Sequence, residues 1–167
     1  LYNALTMKVV LDAYPVASIR DIDISPGLLA DGPWGAKLVV VEGEALSLDD
    51  IEHRILRPIW RDPRVHYAIN CAAIGCPDLM REAFTAATAG HLLDAGAHAF
   101  INHPRGVSPA PAGLVVSSIY NWFAEDFRGE AGVVAHLLRH AAPPLAETIR
   151  RSPILAEFRY DWRLNDA

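Results

Sequence analysis

The run Val65-His66-Tyr67-Ala68-Ile69-Asn70-Cys71-Ala72-Ala73-Ile74-Gly75-Cys76-Pro77 constrains the chain more than any other stretch. Its first half has the apolar character of a buried strand, and Gly75 and Pro77 then break the pattern. Both cysteines of the protein lie in it. A thiol at the end of a buried strand, beside an irregular loop, is a place for a reactive site. A cysteine there also serves as a small hydrophobe in a core.

At 167 residues, half of them hydrophobic, the chain suits one domain with a sizeable core, residues 1–167. No uninterrupted apolar run approaches the roughly 18 residues of a membrane span. The chain begins Leu1-Tyr2-Asn3-Ala4-Leu5 without Met, inside an expected helix, so the lack of a leader assigns no compartment. The formal charge is −5, and acids surround the Arg54/Arg57 and Arg150/Arg151 pairs. That weighs against nucleic acid as a partner, because such binding rests on clustered Lys and Arg. The C-x4-C spacing of Cys71 and Cys76 leaves a small disulfide loop open without establishing it. It is no zinc pattern, and no metal or cofactor is expected.

Residues 1–14 read as a helix closed by Pro15. Turns follow at Pro26-Gly27 and Gly32-Pro33-Trp34-Gly35, then a strand at Lys37–Val41 and a turn at Gly43. Ser47-Leu48-Asp49-Asp50 has the form of a capping box with Asp in place of Glu, opening a helix that Pro58 should end. After the cysteine loop, a helical turn is expected at 78–84, a helix at 88–102 and a loop at 104–111. A strand at 114–116 and a helix capped by Ser117 or Ser118 come next, then helices at 131–141 and 144–151. The alternation at Phe158–Trp162 predicts a final strand. The mixture lacks a regular βαβ repeat, so the fold class is α+β, a small mixed or antiparallel sheet packed with several helices.

On a wheel of about 100° per residue, Glu52 falls on the apolar arc of Leu48, Ile51, Ile55 and Leu56. A carboxylate there is costly unless it is paired or hydrogen-bonded. It serves either as an anchor for a loop or as a catalytic group. His53 sits at the edge of that arc, with Asp49 four residues earlier able to hold it. Strand alternation puts His66 and Cys71 on opposite faces, which leaves His53 as the better base for a nucleophilic Cys71. Fingerprints for nucleotides, zinc proteases and serine hydrolases are absent. Tyr120, Trp122 and Phe123 read as core aromatics.

Five motifs, in order, carry a family resemblance. Leu1-Tyr2-Asn3-Ala4 is similar to the tail of a W-x-N-x-Y-N-A helix, and Ile51–Arg57 to I-E-H-x-I-L-R. His66–Pro77 resembles F-A-L-x-C-G-x-x-S/C-P, Tyr120–Phe127 resembles W-Y-x-x-D-F, and Tyr160–Asn165 a bacterial ending Y-D-W-x-L-N. Together they resemble the bacterial branch of the domain of unknown function 547 family. The resemblance implies matches at Glu52, His53, Cys71, Pro77, Trp122 and Asp126. It implies an N-terminal piece beyond this chain, and export to the periplasm or beyond as in bacterial members. Some plant members carry glutaredoxin-like or leucine-zipper segments, which points to thiol chemistry or to scaffolding. Ala72 replaces the family's Gly, although Ala tolerates positive φ poorly.

The leading expectation is a thiol-dependent hydrolase or acyl- or amide-transferring enzyme. Cys71 is its nucleophile, His53 its base and Glu52 the group that orients or charges the imidazole. Adjacent helix positions diverge, so an acid such as Asp126 is the other support for His53. Asn3, Asn70, Trp122 and Asp126 are the candidate substrate-binding residues, Asn3 or Asn70 by polarising a carbonyl. The partner is a small molecule or a peptide. The alternatives are a non-catalytic pocket for a thiol compound such as glutathione, and a structural or partner-binding domain.

Overall fold

A computed structural model describes residues 1–27 and 31–166. It is α+β: among the described residues there are six α-helices and two small sheets, of two and three strands. The chain separates into two compact units, Leu1–Arg61 with Ile69–Cys76 and the C-terminal residues from Asp161, and Asp62–Ala68 with Pro77–Tyr160.

In the first unit, helix α1 (Tyr2–Ala13) buries Tyr2, Leu5, Thr6 and Val9, the i, i+3, i+4, i+7 stripe of an amphipathic helix. Strands β1 (Val39–Val41) and β2 (Glu44–Leu46) form an antiparallel hairpin. Its two-residue turn has φ +51° at Glu42 and +86° at Gly43. Left-handed values at both positions match the twist of the strands, and Gly43 supplies one without strain.

The Ser47–Asp50 capping box forms reciprocally. Asp50 Oδ2 accepts from the Ser47 N–H at 2.8 Å, and Ser47 Oγ accepts from the Asp50 N–H at 3.1 Å. Lys37 and Arg54 also bond the Asp50 carboxylate, and these cations hold it far below the usual carboxylate range.

The segment that follows, Asp50–Leu56, is a π-helix rather than an α-helix. The Arg57 N–H reaches five residues back, to the Glu52 carbonyl. The wider register keeps Ile51 and Glu52 buried but leaves Ile55 and Leu56 half-buried. Pro58 does not end the helix as expected. It is the second residue of α2 (Arg57–Trp60), which continues directly from the π-helix. The helix stops at Arg61, left-handed at φ +50°.

Tyr2, Leu5, Leu46, Leu48 and Ile51 make one core cluster. Val9, Ile19 and Ile22 make a second, packed by Trp34, Leu38, Ala72 and Trp162. The cysteine loop is fastened to the C-terminal segment through its backbone. The Ile74 N–H donates to the Arg163 carbonyl at 2.9 Å, the Gly75 N–H to that of Asp161 at 2.9 Å, and the Asn165 N–H to that of Ala72 at 2.8 Å.

The second unit opens with a correction. Residues 65–70 are not a strand: Pro63–Tyr67 is a 3₁₀ helix, capped by Asp62, whose side chain accepts the Arg64 N–H at 2.9 Å. Asp-Pro at its entry starts a turn, and this local geometry overrides the β-propensity of Val65 and Tyr67. Gly96 of α3 (Ala89–Ile101) admits the helix closely, because a Cβ there would meet the Tyr67 carbonyl at 3.2 Å.

Residues 78–84 make no helical turn. The expected loop at 104–111 contains a strand, β3 (Val107–Ala110). It is the edge of a sheet ordered β3-β4-β5, and an edge tolerates Pro109. Strand β4 (Gly113–Ser117) pairs antiparallel with β3. Helices α4 (Ile119–Trp122), α5 (Glu130–His140) and α6 (Pro143–Arg151) precede β5 (Leu155–Arg159). β5 runs parallel to β4, with an irregularity at Leu114/Val115. The core is built on Tyr67, Phe100, Ile101, Leu114, Val116, Tyr120, Phe127, Val133, Leu137 and Ile149.

Candidate functional site

The first unit gathers polar side chains around the start of α1. Asn3 Oδ1 accepts the Asn70 backbone N–H at 2.9 Å, which ties the helix to the cysteine loop. Asn70 Oδ1 in turn accepts the Ala72 N–H at 2.6 Å. This Asx-type turn holds Ala72 at φ +62°. The position calls for the left-handed backbone that glycine adopts freely, and the alanine takes it at a steric cost of roughly 1–2 kcal/mol. The amide oxygens of both candidate carbonyl-polarising residues therefore brace the loop.

Both cysteines are reduced, Cys71 half-buried and Cys76 buried. The Cys71 N–H donates to Cys76 Sγ at 3.0 Å. Cys71 is the more accessible thiol, and the turn that presents it is fixed on either side.

Glu52 is 7% exposed, as its wheel position predicts. Its neighbour His53 points to the surface. His53 Nδ1 lies 3.0 Å from an Arg57 guanidinium nitrogen, and Nε2 lies 3.8 Å from Asp49 Oδ1. With arginine as the obligate donor, Nδ1 is the acceptor and Nε2 carries the proton toward Asp49. Asp49 is thus the acid nearest Nε2, at a distance too long for a direct hydrogen bond. The two adjacent residues diverge, one inward and one outward.

Tyr2 is a member of this group that the sequence reading passed over. Burial raises its hydroxyl pKa well above the ordinary value, and the nearby Glu52 carboxylate and the Cys71 and Cys76 thiols push it further. A hydroxyl so placed stays protonated at neutral pH and is a hydrogen-bond donor among acidic groups. The signal was present: Tyr2 begins the buried 2-5-6-9 stripe of α1 and precedes Asn3. Among the described residues no group of three or more His, Cys, Asp or Glu is arranged to hold a metal ion.

In the second unit, Asp126 meets a different histidine from the one expected. Its Oδ2 lies 2.7 Å from Nε2 of His66, which is 2% exposed and stacks on Phe123 at 4.1 Å between ring centroids. With the strand gone, the alternation used to set His66 aside no longer applies. Trp122 is exposed and packs its ring against Tyr160 at 4.8 Å, so it is not a core aromatic.

His136 and His140 sit one turn apart on α5, ring centroids 4.8 Å from each other, and each buries an Nε2 without a hydrogen-bond partner. Burial, then the neighbouring His140, pulls the His136 pKa down to about 4, and burial lowers that of His140 too.

The family model for a protein of unknown function, DUF547, matches residues 1–101, more than half of the chain. The chain belongs to the DUF547 family. The match spans the helix of Tyr2 and Asn3, the Glu52-His53 segment and the whole cysteine loop. The motifs at Tyr120–Phe127 and Tyr160–Asn165 lie beyond it. Comparison of this DUF547 chain with curated proteins and with solved structures gave no match in either.

Proposed function

We propose that the first unit carries a thiol-dependent acyl-transfer or hydrolytic centre with Cys71 as its nucleophile. The observation that carries this reading is a half-buried Cys71 on a loop braced by the Asn3 and Asn70 side chains, with the buried Cys76 sulfur against the Cys71 N–H. A small apolar residue in a core needs no such surroundings.

In this reading His53 removes the thiol proton at Nδ1, and Asp49 stabilises the imidazolium through Nε2–H. Arg57 must first release Nδ1, and its guanidinium then favours the thiolate. The Cys71 thiolate attacks the carbonyl carbon of an ester, thioester or amide, and the tetrahedral intermediate collapses by breaking the bond to the alcohol, thiol or amine, which leaves with the proton held on His53. Tyr2 is the residual donor for the oxygen that becomes negative, since the Cys71 and Ala72 N–H groups are already engaged. Glu52 keeps the Tyr2 proton oriented. Water or an acceptor amine or thiol then releases the acyl group.

The test is acyl trapping. Native protein is exposed to an activated ester, and the peptide carrying Cys71 is examined by mass spectrometry. An acyl group on Cys71 that turns over, and is absent in Cys71→Ser, supports the reading. Acylation no faster than that of free cysteine contradicts it.

One observation favours a second reading. Both His53 ring nitrogens have partners on their own helix, which suits an imidazole that holds its position rather than one that shuttles a proton. Cys71 would then mark a pocket that binds a thiol compound such as glutathione without turnover. Calorimetric titration with glutathione that shows saturable binding, lost in Cys71→Ser and without any product, would favour it.

A further inference from the structure

Cys71 and Cys76 are close enough to act on each other. The Cys71 N–H bonds Cys76 Sγ at 3.0 Å. An N–Cα bond is about 1.46 Å, so the Cys76 sulfur lies no more than about 4.5 Å from the Cys71 Cα. A disulfide needs the two sulfurs at about 2.04 Å, and a turn of the Cys71 side chain about χ1 toward Cys76 is the movement that would join them.

The two thiols differ in access. Cys71 is half-buried, whereas Cys76 is 3% exposed. The loop that holds them is fastened at Asn70, Ala72, Ile74 and Gly75, and the Cys76 N–H closes a turn onto the Ala73 carbonyl at 3.0 Å. Neither cysteine can swing away without breaking several backbone bonds. An outer thiol that meets solvent first and an inner one held beside it is the arrangement of an attacking and a resolving cysteine.

We propose that Cys71 and Cys76 are a reversible dithiol–disulfide couple that silences the thiol centre under oxidising conditions, with a hydroperoxide as oxidant. This rests on the reading that Cys71 is a reactive thiol. The Cys71 thiolate attacks the distal oxygen of the hydroperoxide, an S–O bond forms, the O–O bond breaks and an alcohol or water leaves. Cys71 is thereby oxidised to the sulfenic acid and the peroxide reduced. The Cys76 sulfur then attacks the Cys71 sulfur, the S–S bond forms and the S–O bond breaks. Water departs with the proton that Cys76 gives up. A dithiol reductant returns both hydrogens and restores the pair.

The wild-type protein carries the test. Native protein is treated with stoichiometric hydrogen peroxide, the remaining thiols are alkylated, and intact mass and peptide maps are recorded. The expected product is a monomer lighter by two hydrogens, with residues 71 and 76 linked. Its Cys71 alkylation falls about tenfold or more and recovers with dithiothreitol. In Cys76→Ser the oxidation should stop at a Cys71 sulfenic acid that dimedone traps. Dimedone labelling of Cys71 in that variant, with no 71–76 disulfide in the wild type, would overturn the couple and leave the reactive Cys71 standing. Peroxide that leaves Cys71 untouched in both proteins would overturn the couple and the reactive thiol together.

Discussion

The two units bury polar groups in opposite ways. In the first, Asn3 and Asn70 brace the cysteine loop, Glu52 is buried, and burial with the charge of Glu52 raises the Tyr2 pKa. The second buries imidazoles. His66 has a carboxylate partner in Asp126, whereas His136 and His140 each keep a buried ring nitrogen unpartnered. Unsatisfied buried nitrogens cost stability, so the α5 pair should report as sensitivity to acid. Tyr2, Glu52 and the cysteine loop fall within the matched family region. The contrast separates a polar cluster that suits a site from one whose first consequence is physical.

The largest effect should come from breaking the partnered imidazole. Asp126→Ala strips a nearly inaccessible His66 of its carboxylate and should cost about 3 kcal/mol. That is the low end for a broken buried pair, because Asp126 itself is partly solvated. A urea titration measures it, and an unchanged midpoint would remove His66 from the ledger of buried, paired groups.

Next in size is the acid response of the second unit. Unfolded His136 titrates near its ordinary value of about 6.5, and in the folded state it is held down to about 4. Between those values the unfolded chain binds the extra proton. Stability is full above pH 6.5, falls as pH drops toward 4, and levels off below. His140 adds in the same direction. The nearby charges act both ways: Asp62 raises the His136 pKa and Asp94 that of His140, while Arg64 and Arg139 lower both. With allowance for solvent screening the loss is about 2 kcal/mol. Melts recorded across that range should show it, and His136→Phe, which keeps the stack on Tyr67, should flatten it. An equal acid slope in His136→Phe would mean that His136 does not carry the pH dependence.

A smaller effect of opposite sign belongs to the first unit. Ala72→Gly relieves the φ +62° strain and should stabilise by about 1 kcal/mol, read as a higher melting temperature. Destabilisation would mean that the alanine methyl packing against Val9 and Ile19 matters more than the strain.

Periodicity made much of this fold legible. The apolar stripe of α1, the capping box at Ser47 and Asp50, the helix at 89–101 and the inward Glu52 all follow from local spacing. What spacing could not give was geometry set by longer-range or backbone effects. The Pro63–Tyr67 stretch has strand-like composition, yet a capped Asp-Pro entry turned it into a 3₁₀ helix. The strand expectation set His66 aside, whereas the 3₁₀ helix brings its ring to Asp126. The π-register of Asp50–Leu56 has no simple residue signature, and neither has an edge strand containing Pro109. Tyr2 was visible only as the first residue of a buried stripe, because its meaning comes from side chains about 50 and 70 residues further along the chain.

The central claim is that Cys71 is a reactive thiol served by His53, and its rate of alkylation tests it most directly. Native protein receives a limited dose of iodoacetamide near neutral pH, and the two cysteine positions are quantified by peptide mapping. Cys71 should label faster than Cys76 and faster than free cysteine, and His53→Ala should slow it about tenfold or more while the melting temperature holds. A Cys71 that labels only after denaturation would contradict the account, and so would one whose rate is indifferent to His53→Ala.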